Sequence, residues 1–527
     1  MIQQLIGKQI RDLLAKIPVR VPADISAISV TGITADSRQV LSGMLFVAIR
    51  GESSDGHQYI QEAVRKGCVA VVAESSADKE LDVPLIEVSD TRAAMGHIAA
   101  AFYDYPASEM VMVGITGTNG KTTSSYILEQ LIAAGGGVPA VIGTINIRYL
   151  DVSMDSTLTT PEPLDIQKQL RIMADRGVTH VVMEVSSHGI AQGRVNAMQF
   201  DVALFTNLSR DHLDFHGSMD NYFAAKQRLF VDHMKKTGKA VVVVGKPSRQ
   251  HEVSWGRKLA DFLSVETDLQ VITCGIEDGD VKAEKYTFSL AGICAEITAN
   301  DSVFEIEIPL VGAFNLENVL GCIACGLVLG YTTDAMTAAL KVLKGVPGRL
   351  ERITVGTEEN GEGVIHVFVD YAHTPEALSH VLQAIKDLQP LRLVVVFGCG
   401  GDRDKGKRPL MGEAAGKLAD VCLLTSDNPR SELPSQILTE IEKGLQGISV
   451  TKIDSEELRE NPQLKGYDII ESRRKAIQRA IETSRPGDVI LICGKGHESY
   501  QIDRSGRIFF DDRQEAREQL ERNRQAA

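Results

Sequence analysis

Val111-Met112-Val113-Gly114-Ile115-Thr116-Gly117-Thr118-Asn119-Gly120-Lys121-Thr122-Thr123 is the stretch that decides the fold. An apolar run enters a glycine-rich turn, and apolar residues at helical spacing (Tyr126, Ile127, Leu128, Leu131) follow it. The order is strand, phosphate loop, helix. Glycines let the backbone bend so that successive N–H groups point at phosphate oxygens, and the helix N-terminus adds a favourable dipole. Lys121 would reach the outer phosphates and the Thr122 hydroxyl would ligate Mg²⁺. The strict G-x-x-x-x-G-K-[ST] spacing fails by one position, because Ile115 stands where its first glycine belongs. With the strand before it, the helix after it and Gly-Lys-Thr-Thr in place, the variant reads as a nucleoside triphosphate site and not as a structural turn.

A metal-binding carboxylate is expected at the end of a neighbouring strand. The apolar run 178–183 ends in Glu184-Val185-Ser186-Ser187-His188 and supplies one. Further on, Asn207-Leu-Ser-Arg-Asp211-His212-Leu-Asp-Phe-His216 spaces two histidines i, i+4, which would put both on one helical face. Zinc would want a third protein ligand and no HExxH helix is present. One histidine near Mg²⁺ and the phosphates is the preferred reading.

Around this centre, short apolar runs alternate with helical patterns over nearly all 527 residues, which predicts an α/β chain with mainly parallel sheets. Breaks at Tyr105-Pro106-Ala107 and Gly345-Val346-Pro347-Gly348 predict three domains: a smaller N-terminal α/β domain (1–107), a central P-loop ATPase-type parallel sheet (108–346) and a C-terminal Rossmann-like domain (347–527). Buried parallel strands are expected at 391–397, 421–425 and 489–493. An amphipathic helix is expected over 1–16, a surface insertion over 455–474 and a solvated helix over 513–524. The formal net charge of -14 argues against a nucleic-acid binder. Eight irregularly spaced cysteines make no disulfide framework and fit a reducing compartment, and Cys322-x-x-Cys325 reads as small residues on a packed helix. With no apolar run long enough to span a membrane and no signal peptide, the expectation is a cytoplasmic monomer with small-molecule partners, no nucleic acid and no membrane insertion.

Gly117-Thr-Asn-Gly-Lys-Thr-Thr123, Glu184-Val-Ser-Ser-His188, Asn207-Leu-Ser-Arg-Asp-His212, Gly312-Ala-Phe-Asn315-Leu-Glu-Asn318, Gly348-Arg349-Leu-Glu351 and Asp370-Tyr-Ala-His373-Thr-Pro375 together resemble the Mur ligase family. The match in order and spacing runs over nearly the whole chain. Within the family it resembles the member that adds the third peptide residue. The resemblance implies an ATP-dependent amide-bond ligase of peptidoglycan synthesis, adding meso-2,6-diaminopimelate to the D-glutamyl γ-carboxylate of UDP-N-acetylmuramoyl-L-alanyl-D-glutamate through an acyl phosphate. It implies ATP contacts at Gly117, Thr118, Asn119, Gly120, Lys121, Thr122, Thr123, Asn315 and Arg349, and, less directly, Asp370 and His373. Mg²⁺ would be held by Thr122, Glu184, His212 and a carbamylated Lys226, which without the family would read as a solvated helix lysine. Ala35, Ser37, Glu52, Ser53 and Ser54 would touch the UDP portion. Thr159, Thr160, Ser186, Gln192 and Arg194 would contact the sugar-peptide, and Arg194 also suits a carboxylate or pyrophosphate electrostatically.

Two glycine-rich turns of the last domain, Gly398-Cys-Gly400-Gly401-Asp-Arg403 and Gly494-Lys-Gly496-His-Glu498-Ser499, lack the third glycine of a dinucleotide site. Between them, Asp427-Asn428-Pro429-Arg430 alone would be a turn; it resembles the family's diaminopimelate signature. Arg430 would pair with the distal carboxylate, and Asp427 or Glu498 with an ammonium, with Arg403 and Gly494 nearby. A lysine substrate would leave that arginine uncompensated. The rival readings are a lysine-adding Mur ligase, a folylpolyglutamate-synthase-like ligase, which has no reason for a UDP-substrate domain, and a nucleotide-dependent switch, which has no need of the carboxylate-reading cluster.

Overall fold

The computed structural model describes residues 7–19, 25–51, 54–74, 81–246, 253–300, 302–355, 365–461 and 463–526. Two compact units result: Met1–Ala283 with Thr298–Ser302 and Glu317–Ala339, and Glu284–Ile297 with Val303–Leu316 and Leu340–Ala527.

In the first unit, Gly32–Thr34, Met44–Val47, Ala70–Ala73 and Leu85–Glu87 form a four-stranded parallel sheet. The helix expected over 1–16 is shorter in the structure. Its first six residues lie outside the described ones, Lys8–Gln9 pairs as a strand with Ser29–Val30, and the helix is Ile10–Leu13. The apolar spacing did locate the core, since Ile10, Leu13 and Leu14 are buried, but a sheet edge captured the backbone before them.

The same unit carries a larger sheet in which Pro139–Ile142, His180–Glu184, Val111–Thr116, Phe200–Phe205, Met234–Val243 and Gln270–Ile276 lie side by side, all parallel. Parallel strands covered on both faces are near-continuous apolar runs, and Met112, Val113, Ile115, Val181, Val182 and Leu204 are all buried. Val111–Thr116 sits between His180–Glu184 and Phe200–Phe205, with Glu184 opposite Ile115 and Phe205 opposite Thr116. That register brings the turn after Thr116 beside Glu184 and Thr206. Cys322 and Cys325 are free and fully buried on the helix Ala313–Val328, as packed small residues.

In the second unit the sheet order is Glu351–Ile353, His366–Asp370, Asp488–Cys493, Arg392–Phe397, Val421–Leu424 and Gly466–Ile469, parallel except for the first. Alternate side chains point to opposite faces. Val395 and Phe397 join one core, while Val394 and Val396 join the other. The last of these strands in sequence, Asp488–Cys493, inserts between two earlier ones, so the turns after Asp370, Phe397, Leu424 and Cys493 gather at one edge. In open α/β sheets that edge is where ligands collect.

Two segments depart from their sequence pattern. The 455–474 stretch is not a surface insertion: Gly466–Ile469 adds a parallel strand beside Val421–Leu424, and Ser455, Leu458 and Tyr467 are buried. The strand is short and bordered by charges, so its periodicity is swamped. Nor is the last helix, Asp512–Ala526, wholly solvated, because Asp512, Ala516 and Gln519 are buried. Asp512 pairs there with Arg473, both fully buried, at 2.6 Å. A pairing across 39 positions leaves no trace in local composition.

Candidate active site

The phosphate turn is shaped by its glycines. Gly117 and Gly120 have φ of +148° and +85°, and a Cβ on either would overlap a neighbour, Thr206 Oγ1 or Asn318 Oδ1 respectively. The next strand braces the loop: Thr118 N–H donates to the Asn207 carbonyl (2.9 Å), Asn119 N–H to Asn207 Oδ1 (3.0 Å), and Thr206 Oγ1–H to the Asn119 carbonyl (2.6 Å). Gly120 caps the helix Lys121–Ala134, and Thr122 and Thr123 are buried in its first turn. Lys121 Nζ folds back onto the carbonyls of Gly117 (2.8 Å) and Thr118 (2.9 Å).

Lys226, from the helix Met219–Asp232, is 1% exposed and donates to the same Gly117 carbonyl at 2.8 Å. Burial first, and the neighbouring Lys121 charge second, push its ammonium well below the usual lysine range. It is not the solvated lysine that its sequence context alone would give.

Glu184, 1% exposed, is held from three directions. Thr122 Oγ1 donates to Oε2 (3.0 Å), Thr144 Oγ1 donates to Oε2 (2.8 Å), and Thr144 N–H donates to Oε1 (3.1 Å). Thr144 escaped sequence reasoning: it follows Pro139–Ile142, and nothing local says that this strand neighbours His180–Glu184. The histidines depart from the expectation. His212 has φ +51° and precedes the short helix Leu213–His216, so the two do not share a helical face. Both rings pack instead on His188, at 4.7 Å for His212 and 5.5 Å for His216. His212 also lies 6.2 Å from the Tyr222 ring, whose hydroxyl is 3.2 Å from Thr118 Oγ1. A buried carboxylate ringed by hydroxyls is a hard-oxygen donor set and fits Mg²⁺.

Thr159, Thr160, Ser186 and Arg194 form one hydrogen-bonded group. Thr160 Oγ1 donates to the Glu184 carbonyl (2.9 Å), Ser186 N–H donates to Thr160 Oγ1 (2.9 Å), Arg194 Nη1 donates to the Thr160 carbonyl (2.9 Å), and Thr159 and Thr144 hydroxyls lie 3.1 Å apart. Gln192 ends the helix Ser187–Ala191 beside them. Ala35 and Ser37 follow the strand Gly32–Thr34, with Ser37 Oγ donating to Glu62 Oε2 at 3.0 Å. Ser54 is exposed, and Glu52 and Ser53 lie outside the described residues.

The second unit gathers the remaining expected residues. Asn428 Nδ2 donates to Glu498 Oε2 (2.9 Å) and Arg430 Nη1 to the Gly401 carbonyl (2.7 Å). A Cβ on Gly400 would meet Arg430 Nη1 at 2.9 Å and Arg403 Cγ at 3.8 Å, and a Cβ on Gly401 would overlap the Pro429 carbonyl. Gly494 has φ +115°, which side chains rarely adopt, and a Cβ there would lie 2.7 Å from Asp427 Oδ2. Arg403, Asp427, Asn428, Pro429, Arg430, Gly494 and Glu498 therefore share one neighbourhood. Sequence reasoning missed its fully buried cation, Lys495, whose Nζ is 3.0 Å from Asn428 Oδ1. Nearby, Asp370 accepts the N–H groups of Leu350 and Ala372, both at 2.7 Å. The Arg349 guanidinium lies 4.7 Å over the Tyr371 ring, whose carbonyl is 2.9 Å from His373 Nδ1. Asn315 is buried, with Nδ2 donating to the Val311 carbonyl (2.8 Å).

Three family models match the chain: the Mur ligase family catalytic domain over residues 29–103, the Mur ligase middle domain over 115–326 and the Mur ligase glutamate ligase domain over 348–496. The UDP-N-acetylmuramoyl-L-alanyl-D-glutamate–2,6-diaminopimelate ligase of Geobacter metallireducens is 43% identical over 495 residues, 93% of this chain and 94% of its own. A solved structure of a ligase of that name covers 98% of this chain and 99% of its own, at 30% identity and a TM-score of 0.69. The MurF ligase of Thermotoga maritima, solved with ADP, covers 94% of this chain and 98% of its own at 21% identity and a TM-score of 0.57, a likeness of fold.

Proposed function

The chain belongs to the Mur ligase family, and from that premise we infer that it joins meso-2,6-diaminopimelate to the D-glutamyl γ-carboxylate of UDP-N-acetylmuramoyl-L-alanyl-D-glutamate, using ATP, in peptidoglycan synthesis. The observation that carries this is 43% identity, over nearly the full length of both chains, to a ligase of that reaction. The test is incubation with ATP, the UDP-linked dipeptide and either diaminopimelate or lysine, read by mass.

A carboxylate and an amine do not condense favourably in water, so the acid must be activated. The γ-carboxylate attacks the γ-phosphate of ATP, giving an acyl phosphate and ADP. The diaminopimelate amine then attacks the acyl carbon, and phosphate leaves from a tetrahedral intermediate. We propose that the N–H groups of residues 120–123, at the start of the helix, cradle the phosphates, while the Lys121 ammonium swings off its own loop carbonyls to offset charge on the transferred phosphoryl. Mg²⁺ would be held by Thr122, Glu184, His212 and a carbamylated Lys226, and would supply charge neutralisation there. In support, Glu184 is preorganised by two hydroxyls and an amide, and the depressed lysine offers a neutral amine for carbamylation.

We further assign residues 1–107 to the UDP portion through Ala35, Ser37, Glu52, Ser53 and Ser54. Residues 108–346 take ATP and the muramyl peptide through Thr159, Thr160, Ser186, Gln192 and Arg194. Residues 347–527 take diaminopimelate, and Asn315 and Arg349 are proposed as further ATP contacts. A family-model match over 29–103 favours this over a folate-type ligase, which has no use for a UDP-substrate domain. Among the described residues no helix is long and apolar enough to cross a membrane. We propose that it acts on these small molecules as a cytoplasmic monomer.

A further inference from the structure

Lys495 follows the strand Asp488–Cys493 in the tight turn Gly494-Lys495-Gly496, and its side chain is fully buried. A buried ammonium is costly unless it is paired and hydrogen-bonded. Its nearest acceptor is Asn428 Oδ1 at 3.0 Å, and the carboxylates of Asp427 and Glu498 each lie 3.6 Å away. Lys495 is therefore the hub of three residues from two different turns.

The hub fixes an orientation. Asn428 Oδ1 also accepts the Ile502 N–H at 3.0 Å, so the amide oxygen is committed to two donors and the Nδ2 group must face Glu498, to which it donates at 2.9 Å. Turned over, the amide would set its N–H₂ against the ammonium and its oxygen against the carboxylate. The hub also fixes charge. Asp427 and Glu498 bring two negative charges and Lys495 cancels one, which leaves room for one further ammonium. Arg430 and Arg403, on the Gly400 side, remain for a carboxylate. A zwitterionic amino-acid end matches that division.

We propose that Lys495 is a positioning residue for diaminopimelate, holding Asp427, Asn428 and Glu498 in the arrangement that receives the ammonium of the substrate's amino-acid end. This rests on the assignment of that loop cluster to diaminopimelate. Glu498 is raised above the usual carboxylate range by burial, and Lys495 and the Asn428 amide pull it back down. The other groups facing it are Asp427, Tyr371 and Tyr500.

The test is steady-state kinetics of the full-length enzyme and of Lys495→Met and Lys495→Arg, with pH profiles. Lys495→Met is expected to raise KM for diaminopimelate roughly a hundredfold, as loss of one member of a buried charge cluster does, with KM for ATP unchanged. The acidic limb of kcat/KM for diaminopimelate is expected to move to higher pH, because Glu498 loses the charge that keeps it ionised. Lys495→Arg restores most of both. Should Lys495→Met not fold, Asn428→Ala gives the same KM split, since it removes the amide that links Lys495 to Glu498. Equal losses for ATP and diaminopimelate, or an unmoved acidic limb, overturn the proposal. Failure of the wild-type enzyme to use diaminopimelate would instead defeat the assignment on which it rests.

Discussion

The Nζ atoms of Lys121 and Lys226 converge on one acceptor, the Gly117 carbonyl oxygen, each at 2.8 Å. One of the two is fully buried and its charged form is disfavoured by that burial and by its neighbour. On the proposed reading, ATP phosphates draw Lys121 away from the carbonyl, and carbamylation would convert Lys226 into an anion.

Lys226→Met is therefore expected to lower kcat by on the order of a hundredfold or more, the scale of losing a preorganised electrostatic group. Stripping CO₂ from the buffer should lower wild-type activity reversibly and leave the variant unaffected. In CO₂-free buffer, the unfolded chain binds a proton at this position that the folded chain releases, so stability rises with pH toward the ordinary lysine range. Lys226→Met should flatten that rise, as measured by urea unfolding at several pH values.

Glu184→Gln keeps the size of the side chain and removes the charge that Thr122 and Thr144 orient. ATP affinity should change by less than about tenfold while kcat falls on the order of a thousandfold. Thr144→Val should give a smaller loss in the same direction. Measuring nucleotide binding by calorimetry beside turnover separates the two.

Arg430→Ala should raise KM for diaminopimelate roughly a hundredfold and leave KM for ATP within about twofold, as expected when a bidentate carboxylate partner is lost. Equal losses in both constants would refute the role.

Arg408 is fully buried and bonds to Glu432, to Glu440 and to the Gly400 carbonyl. Its guanidinium holds the Glu432 carboxyl down to about 2. Arg408→Met removes the guanidinium that joins Glu432 to Glu440, leaving Glu432 with Lys405 and the Asp402 N–H, and should lower the midpoint of denaturant unfolding. It should also weaken diaminopimelate binding by loosening the turn that carries Arg403.

The phosphate loop was legible because its chemistry is local: Gly117 and Gly120 adopt backbone angles that glycine favours, and Lys121 follows at once. Glu184 was legible as an acid closing an apolar run. The rest depends on contacts that local sequence does not encode. Thr144 reaches Glu184 only because two strands separated by a hairpin and a helix lie side by side. Lys495, in its glycine turn, reads the same whether solvated or buried. The His212–His216 spacing matched a helix, but the left-handed backbone at His212 breaks it. The 455–474 segment hides its strand because charged residues flank a run of only four.

The most direct measurement follows products when the purified protein, ATP and Mg²⁺ meet the UDP-linked muramyl dipeptide together with diaminopimelate. ADP and a peptide lengthened by one diaminopimelate are expected in equal amounts, with neither formed when any one substrate is withheld. ADP release without peptide extension, or lysine joined as readily as diaminopimelate, would contradict the proposed reaction.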